Sequence, residues 1–459
     1  MSEHYPQRGD SLDTLIQMIR QRRLSPRALA EQAIEAHRPA LRAYAHWRPE
    51  KLRAQALVLG RKGRLQGIPV SVKDNIAVAG WPLEAGSGRA LPAHLCQEGS
   101  VVAMLRRQGV VFSGKTQTVA FAFSSLGTSP QGEGPRNPWD LQRVCGGSSS
   151  GAAVSVIEGS ARLALGTDTA GSVRVPAAMT GCVGLKTTVG RWPRAGVIPL
   201  SHSLDSLGLL APRAADIVTG LAAFDPAPAL KRIEAADLRE LRIGLPKALL
   251  EATPTDPGIA ESFHAALSEL EARGARLVEV ESQLLLEARA LFREGGVVAS
   301  ELHQFLFTQM PTWLEGQDKE LNLAMRSAAN LPASAYLERL QTMTRLCRQA
   351  DLALREIDVL VTPTTPLTPP TFASLTQPSV YIQGNARILD FTAFVNYLRL
   401  CAVSLPIGQD AAGMPTGLQL VASGFAEARL LAIALTVERA LGEVHQRLGP
   451  LPFSDNNIQ

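Results

Sequence analysis

Apolar positions recur at helical spacing along LDTLIQMIRQRR (12–23), with Ser11 placed to cap the segment. Ser25 followed by Pro26 supplies a cap and a first-turn proline for a second helix. Beyond these two helices the pattern alternates. Ile68–Lys73 is a short apolar run ending in lysine and predicts a strand. Ser100 is placed to cap the helix-spaced VVAMLRRQ, Gly109 closes it, and VVF then predicts a strand. Ala152–Glu158 predicts a helix and Arg162–Gly166 a strand. Asp256 and Pro257 open a helix that Gly274 closes, with RLVEV (276–280) as the strand after it. IDVLVT from Ile357 and LQLVA from Leu418 predict further strands, and Val437 lies in a last amphipathic helix.

Strands alternating with helices predict an α/β fold with a central mixed, mostly parallel twisted sheet flanked by helices on both faces. No internal repeat is present, and neither PTTPLTPP (363–370) nor the stretch near 246–257 resembles a long flexible linker. The expected organisation is one large domain over residues 1–459, with helices at about 10–60 and a motif-dense core at about 65–215.

Composition narrows the class. With 46% hydrophobic and 19% charged residues the chain is globular. A net charge of +4 on 459 residues, with no basic stripe, gives nucleic-acid binding no electrostatic support. Arg20–Arg23 reads as a solvated helix end. The five cysteines have no CxxC pair or metal-ligand spacing and read as reduced thiols. The N-terminus shows no apolar signal core, and no run of about 18 uncharged apolar residues exists. The expectation is a cytoplasmic protein without membrane contact.

The segment from Cys145 to Ala178 carries the chemistry. Gly146–Gly151 (GGSSSG) precedes a helix, whose first N–H groups favour negative or developing negative charge. A strand then ends in GTDTAGS, with Ser172 just beyond it and the small residues Thr169, Ala170 and Gly171 in a tight turn. Backbone N–H groups converging there suit the oxyanion of an acyl transfer. A serine needs a base, and a lysine serves once desolvation lets it lose its proton near neutral pH. Lys73 follows the apolar IPVSV, and both strand ends belong at the carboxyl edge of a sheet, where open α/β folds place their sites.

On these residues the chain resembles the amidase signature hydrolases. The resemblance rests on GIPVSVKDNI (67–76), RNPWD (136–140), GGSSSG (146–151), GTDTAGSVRVPA (166–177), GLKTTVGR (184–191) and PLSHSLDSLG (199–208). VLVTPTTP (359–366) and MPTGLQLVA (414–422) extend it over most of the chain. Lys73 precedes Ser148 by 75 residues and Ser148 precedes Ser172 by 24, spacings similar to those of that family's triad. The resemblance implies Ser172 as nucleophile, Ser148 (with a cis peptide bond) as the bridge to Lys73, and Lys73 as base and then acid. It implies an oxyanion hole from the N–H groups of Thr169, Ala170, Gly171 and Ser172, a turn supported by Asp168 and Arg174, and no metal or organic cofactor. Gly147, Ser149, Phe121 and His202 are the expected substrate contacts. Three departures from the family pattern stand out: Ser150 and Ala170 replace glycines, and KTQTVAFAFSS (115–125) is apolar near Ala120 where many relatives carry an acid.

Two other motif matches fail on context. GVVFSGKT (109–116) fits a phosphate-binding loop, but a helix precedes Gly109 and VVF is itself strand-like. GSSSG (147–151) fits a nucleophile elbow at Ser149, but His202, His264, His303 and His445 lack distinctive flanks for a triad partner. Cys145 reads as packing, with nothing to lower its pKa. The leading expectation is a hydrolase of a small-molecule amide, carbamate (urethane) or ureide, leaning to apolar or aryl substrates, as a monomer or homodimer. Alternatives are the glutaminase subunit of an amidotransferase complex and a non-catalytic ligand-binding relative. Replacing His202, His264, His303 and His445 by alanine in turn leaves appreciable amidase activity; an inactive variant would point back to the Ser149 elbow.

Overall fold

The computed structural model describes residues 10–58, 63–128, 134–314 and 319–452. Ser11 and Ser25 cap the helices Leu12–Arg20 and Pro26–Ala36, accepting the N–H groups of Thr14 and Ala28. Ser100 is not a cap: Gly99 holds that position and Ser100 is the first residue of Ser100–Arg107.

Eleven strands form one sheet: β1 Tyr44–Trp47, β2 Pro69–Lys73, β3 Val111–Thr116, β4 Leu163–Asp168, β5 Val183–Lys186, β6 Ser206–Ala211, β7 Arg242–Leu245, β8 Arg276–Glu279, β9 Val359–Pro363, β10 Cys401–Gln409 and β11 Pro415–Ala422. Their spatial order is β1-β3-β2-β4-β6-β5-β10-β11-β9-β7-β8. The sheet is mixed, as expected, but it is not mostly parallel. Parallel pairing is confined to β3–β2–β4 and β9–β7–β8; the other six pairings are antiparallel. The expectation rested on helix–strand alternation, and β5, β6 and β10 carry no such signal. β5 and β6 are short and buried on both faces, so no period-two alternation marks them. β10 contains Pro406, which argues against a central strand, and the ladder absorbs it with an irregularity between Pro406 and Gly408.

Helices cover both faces, as the side chains of β4 and β6 demonstrate. Leu163, Leu165 and Leu209 pack with residues of Ala214–Phe224 and Glu427–Leu441. Ala164 and Leu210, pointing the other way, meet Ala152, Ala153 and Val156 of Ser150–Glu158. On this second face small residues let the helix sit close. A side chain at Gly151 would collide with the Ala43 carbonyl. Among the described residues no helix is long and apolar enough to cross a membrane, and all five cysteines are free.

Two features of this arrangement matter for chemistry. β2 and β4 pair in parallel, so Lys73 and Asp168 emerge at the same sheet edge. Parallel β3 joins them, with Thr116 opposite Lys73. The GKT of the phosphate-loop match is thus interior strand, not loop. Lys115, 1% exposed, donates to Asp74 Oδ1 (2.8 Å) and to the Pro82 carbonyl (3.1 Å). Lys115→Met would leave the buried Asp74 carboxylate without its cation. It should lower unfolding stability by about 3–5 kcal/mol, read from the urea midpoint.

Candidate active site

Lys73 closes β2, is fully buried, and donates to Ser148 Oγ and Thr167 Oγ1, both at 2.8 Å. Burial pulls its ammonium down to about 7; the carboxylates of Asp205 and Asp168 act the other way without offsetting it. Thr167 Oγ1 also accepts from Asn75 Nδ2 (3.1 Å), so the amine is held on two sides by hydroxyl groups. Among the described residues no carboxylate bonds to it directly.

Ser148 lies in the loop before Ser150–Glu158, and the Gly147–Ser148 peptide bond is cis. The Gly147 N–H donates to the Ser125 carbonyl at 2.6 Å. The Ser149 N–H donates to the Ser172 carbonyl (3.0 Å) and Ser149 Oγ to the Thr167 carbonyl (3.1 Å). These bonds tie the loop to the end of β4 and to the turn after it. Ser172 sits on that turn, 6% exposed. Its hydroxyl makes no hydrogen bond among the described residues, so the Ser148–Ser172 bond implied by the resemblance is not formed. Such bonds commonly tighten only when substrate is bound.

The turn is held from below. Arg174 donates to both Asp168 oxygens (Nε–Oδ2 3.0 Å, Nη2–Oδ1 2.8 Å), with both side chains fully buried. Burial alone would raise the Asp168 carboxyl, but the Arg174 charge and hydrogen bonds outweigh it and hold it at about 2. Thr169 Oγ1 donates to Asp205 Oδ1 at 2.6 Å, and Asp205 Oδ2 accepts the Leu200 and Ser201 N–H groups. Burial raises the Asp205 carboxyl despite these donors. The N–H groups of Ala170, Gly171 and Ser172 make no hydrogen bond among the described residues, an arrangement that leaves donors for a bound oxyanion. Gly171 has φ +148°, and a side chain there would collide with Thr392 Oγ1. Ala170 has no positive φ, so alanine fits its place without strain. Ser150 begins the helix, its hydroxyl buried and without a hydrogen-bond partner among the described residues.

A cavity of about 210 Å³ opens onto this turn, bordered by Thr169, Ala170 and Ser172 on one side. Its walls come from elsewhere: Phe123 and Ser124, then Phe292 and Val298, then Asn385, Leu389 and Tyr397. None of its lining residues is acidic or basic. The expected substrate contacts are placed differently. Phe121, at φ 50°, turns its ring into the core against Trp313, and Phe123 faces the cavity instead. His202 is exposed and borders no part of it. Gly147 and Ser149 are buried, with their bonds spent on the loop. His264 and His445 are likewise exposed, and none of these histidines borders the cavity.

The reading from sequence missed Asn75, Thr167 and Asp205, although all three lie inside motifs it quoted. It also missed Phe292, Asn385 and Tyr397, whose segments carry no distinguishing pattern. One group with metal-ligating atoms occurs among the described residues, His46, Asp74 and Glu84. The Lys115 ammonium already occupies Asp74 Oδ1 and would repel a cation, and none of the three borders the cavity.

Residues 28–431 match the Amidase family. The chain is 42% identical over 449 residues to a 2-amino-5-chloromuconic acid deaminase of Comamonas testosteroni, covering 94% of this chain and 96% of that protein. It is 34% identical over 417 residues to one subunit of the glutamyl-tRNA(Gln) amidotransferase of Symbiobacterium thermophilum, covering 82% of this chain and 83% of that one. The crystal structure of an amidase superposes with a TM-score of 0.85 at 27% identity, covering 94% of this chain and all of that one.

Proposed function

The chain belongs to the amidase family of hydrolases, which act on amide-type carbon–nitrogen bonds, and on that premise we propose that Lys73, Ser148 and Ser172 hydrolyse a small-molecule amide through an acyl-enzyme. The observation that carries the reading is Lys73, a buried amine near its neutral form, 2.8 Å from Ser148 Oγ at the sheet edge that also carries Ser172.

In this reading Ser172 Oγ attacks the substrate carbonyl as its proton passes to Ser148 and the Ser148 proton passes to Lys73 Nζ. The N–H groups of Thr169, Ala170, Gly171 and Ser172 receive the oxyanion. On collapse the C–N bond breaks, and a proton returns from Lys73 through Ser148 to the leaving nitrogen. Water then attacks the acyl ester with Lys73 again as base, releasing the acid and restoring Ser172. Asp168 and Arg174 act on this chemistry only by fixing the turn. We read the whole chain as one catalytic unit, since a single sheet runs from Tyr44 to Ala422.

The absence of charged side chains from the cavity lining favours a neutral, largely apolar acyl part. It weighs against glutamine, whose ammonium and carboxylate would both be buried unpaired. The similarity to a deaminase favours ammonia as the leaving group.

A serine-directed fluorophosphonate should add once, at Ser172, by intact mass and peptide mapping. Ser172→Ala and Lys73→Ala should each lower kcat/KM for ammonia release from primary alkyl amides at least roughly 10³-fold. Near-full activity in Lys73→Ala would overturn the mechanism. Because Lys73 must be neutral to act, kcat/KM should be low below the folded pKa, rise as pH passes about 7 and level off above it. A rate that falls through that window would assign the base elsewhere.

A further inference from the structure

Two residues that border the cavity, Asn385 and Tyr397, have side-chain hydrogen-bonding capacity that no described residue uses. Asn385 Oδ1 accepts the Ser125 N–H (2.6 Å) and Ser125 Oγ (2.7 Å). A backbone N–H can only donate, so this fixes the amide's orientation: the oxygen faces Ser125 and Nδ2 points away from it. Nδ2 makes no hydrogen bond among the described residues, and Asn385 borders the cavity.

Tyr397 borders the same cavity and is 1% exposed. Its ring is wedged edge-on against Phe292, with centroids 6.0 Å apart at 77°. Its hydroxyl makes no hydrogen bond among the described residues. A buried tyrosine hydroxyl normally finds a partner, because leaving it unpaired costs about 1–3 kcal/mol. Both residues border a pocket whose walls include the apolar Phe123, Phe292, Val298 and Leu389.

We infer that Asn385 and Tyr397 form an oxygen-recognition subsite, and that the preferred substrates are amides whose acyl chain carries a second, uncharged carbonyl oxygen remote from the scissile bond. Neither position was singled out by sequence motif, and neither takes part in the proton transfers. The subsite rests on the proposal that this cavity receives the acyl part. An uncharged acceptor suits it best: two neutral donors satisfy a carbonyl, whereas a carboxylate would enter a lining with no cation.

The test separates binding from turnover by using the Ser172→Ala enzyme. Calorimetry compares the methyl-ketone amides 4-oxopentanamide, 5-oxohexanamide and 6-oxoheptanamide with pentanamide, hexanamide and heptanamide. At least one ketone should bind roughly tenfold tighter than its alkyl counterpart, the worth of a well-made neutral hydrogen bond. Adding Tyr397→Phe should bring that ratio close to one, and adding Asn385→Asp, which keeps the acceptor for Ser125 but removes the donor, should reverse it. Equal affinities within every pair, no binding by any member, or a ratio untouched by both substitutions would overturn the subsite. Failure of the catalytic reading shows separately, as a wild-type enzyme that the phosphonate does not label at Ser172.

Discussion

Arg174 is the knot to which the rest of the site is tied. Its five N–H groups are all engaged: Nε and one Nη2 hydrogen on Asp168, the other Nη2 hydrogen on Asn396, and Nη1 on Gln419 and the Thr392 carbonyl. These partners come from the end of β4, from the segment 392–396 and from the middle of β11, so one guanidinium joins the serine turn to the C-terminal half of the chain. Gln419 and Asn396 pass the constraint on. Gln419 Nε2 donates to Thr362 and the Phe391 carbonyl, and Asn396 Nδ2 donates to the Asp168 carbonyl and carboxylate. Isolated in this interior the ion pair would be costly; with every donor matched it fixes one geometry of the turn.

Lys73 is the counterpart, and its environment is built on the opposite principle. Where Arg174 is surrounded by acceptors that favour its charge, Lys73 meets two hydroxyl groups and no direct carboxylate. Both side chains are fully buried, and for the amine that burial wins, moving it toward neutrality. The difference is partner chemistry. The carboxylates whose charge acts on it, Asp168 and Asp205, are already committed to Arg174 and Thr169. An amine poised near neutrality follows from keeping those charges spent.

The division of labour along the chain is also physical. The segment from Lys73 to Asp205 supplies the proposed proton path and the turn. The cavity walls at 292–299 and 385–397 come from helical segments that reach the site only because β9, β10 and β11 return the chain to the sheet centre. The serine turn and the cavity walls therefore sit on different stretches of sequence, and Arg174 joins the turn to the segment 392–396 and to β11.

The sequence by itself determined the α/β class, the two capped N-terminal helices, the strands ending at Lys73 and before Ser172, and the motif residues that meet at the sheet edge. These are local or spacing-encoded properties: caps, apolar runs, and glycines whose backbone angles or close contacts admit nothing larger. Tertiary structure alone decided the rest. It made the sheet mostly antiparallel, because doubly buried strands such as β5 and β6 show no alternation and β10 hides behind Pro406. It sent Phe121 to the core and Phe123 to the cavity through a left-handed backbone at Phe121, a choice invisible in AFAF. It left His202 in solvent and brought Asn385 and Tyr397 to the cavity, because which face of a helix meets a pocket depends on neighbours hundreds of residues away.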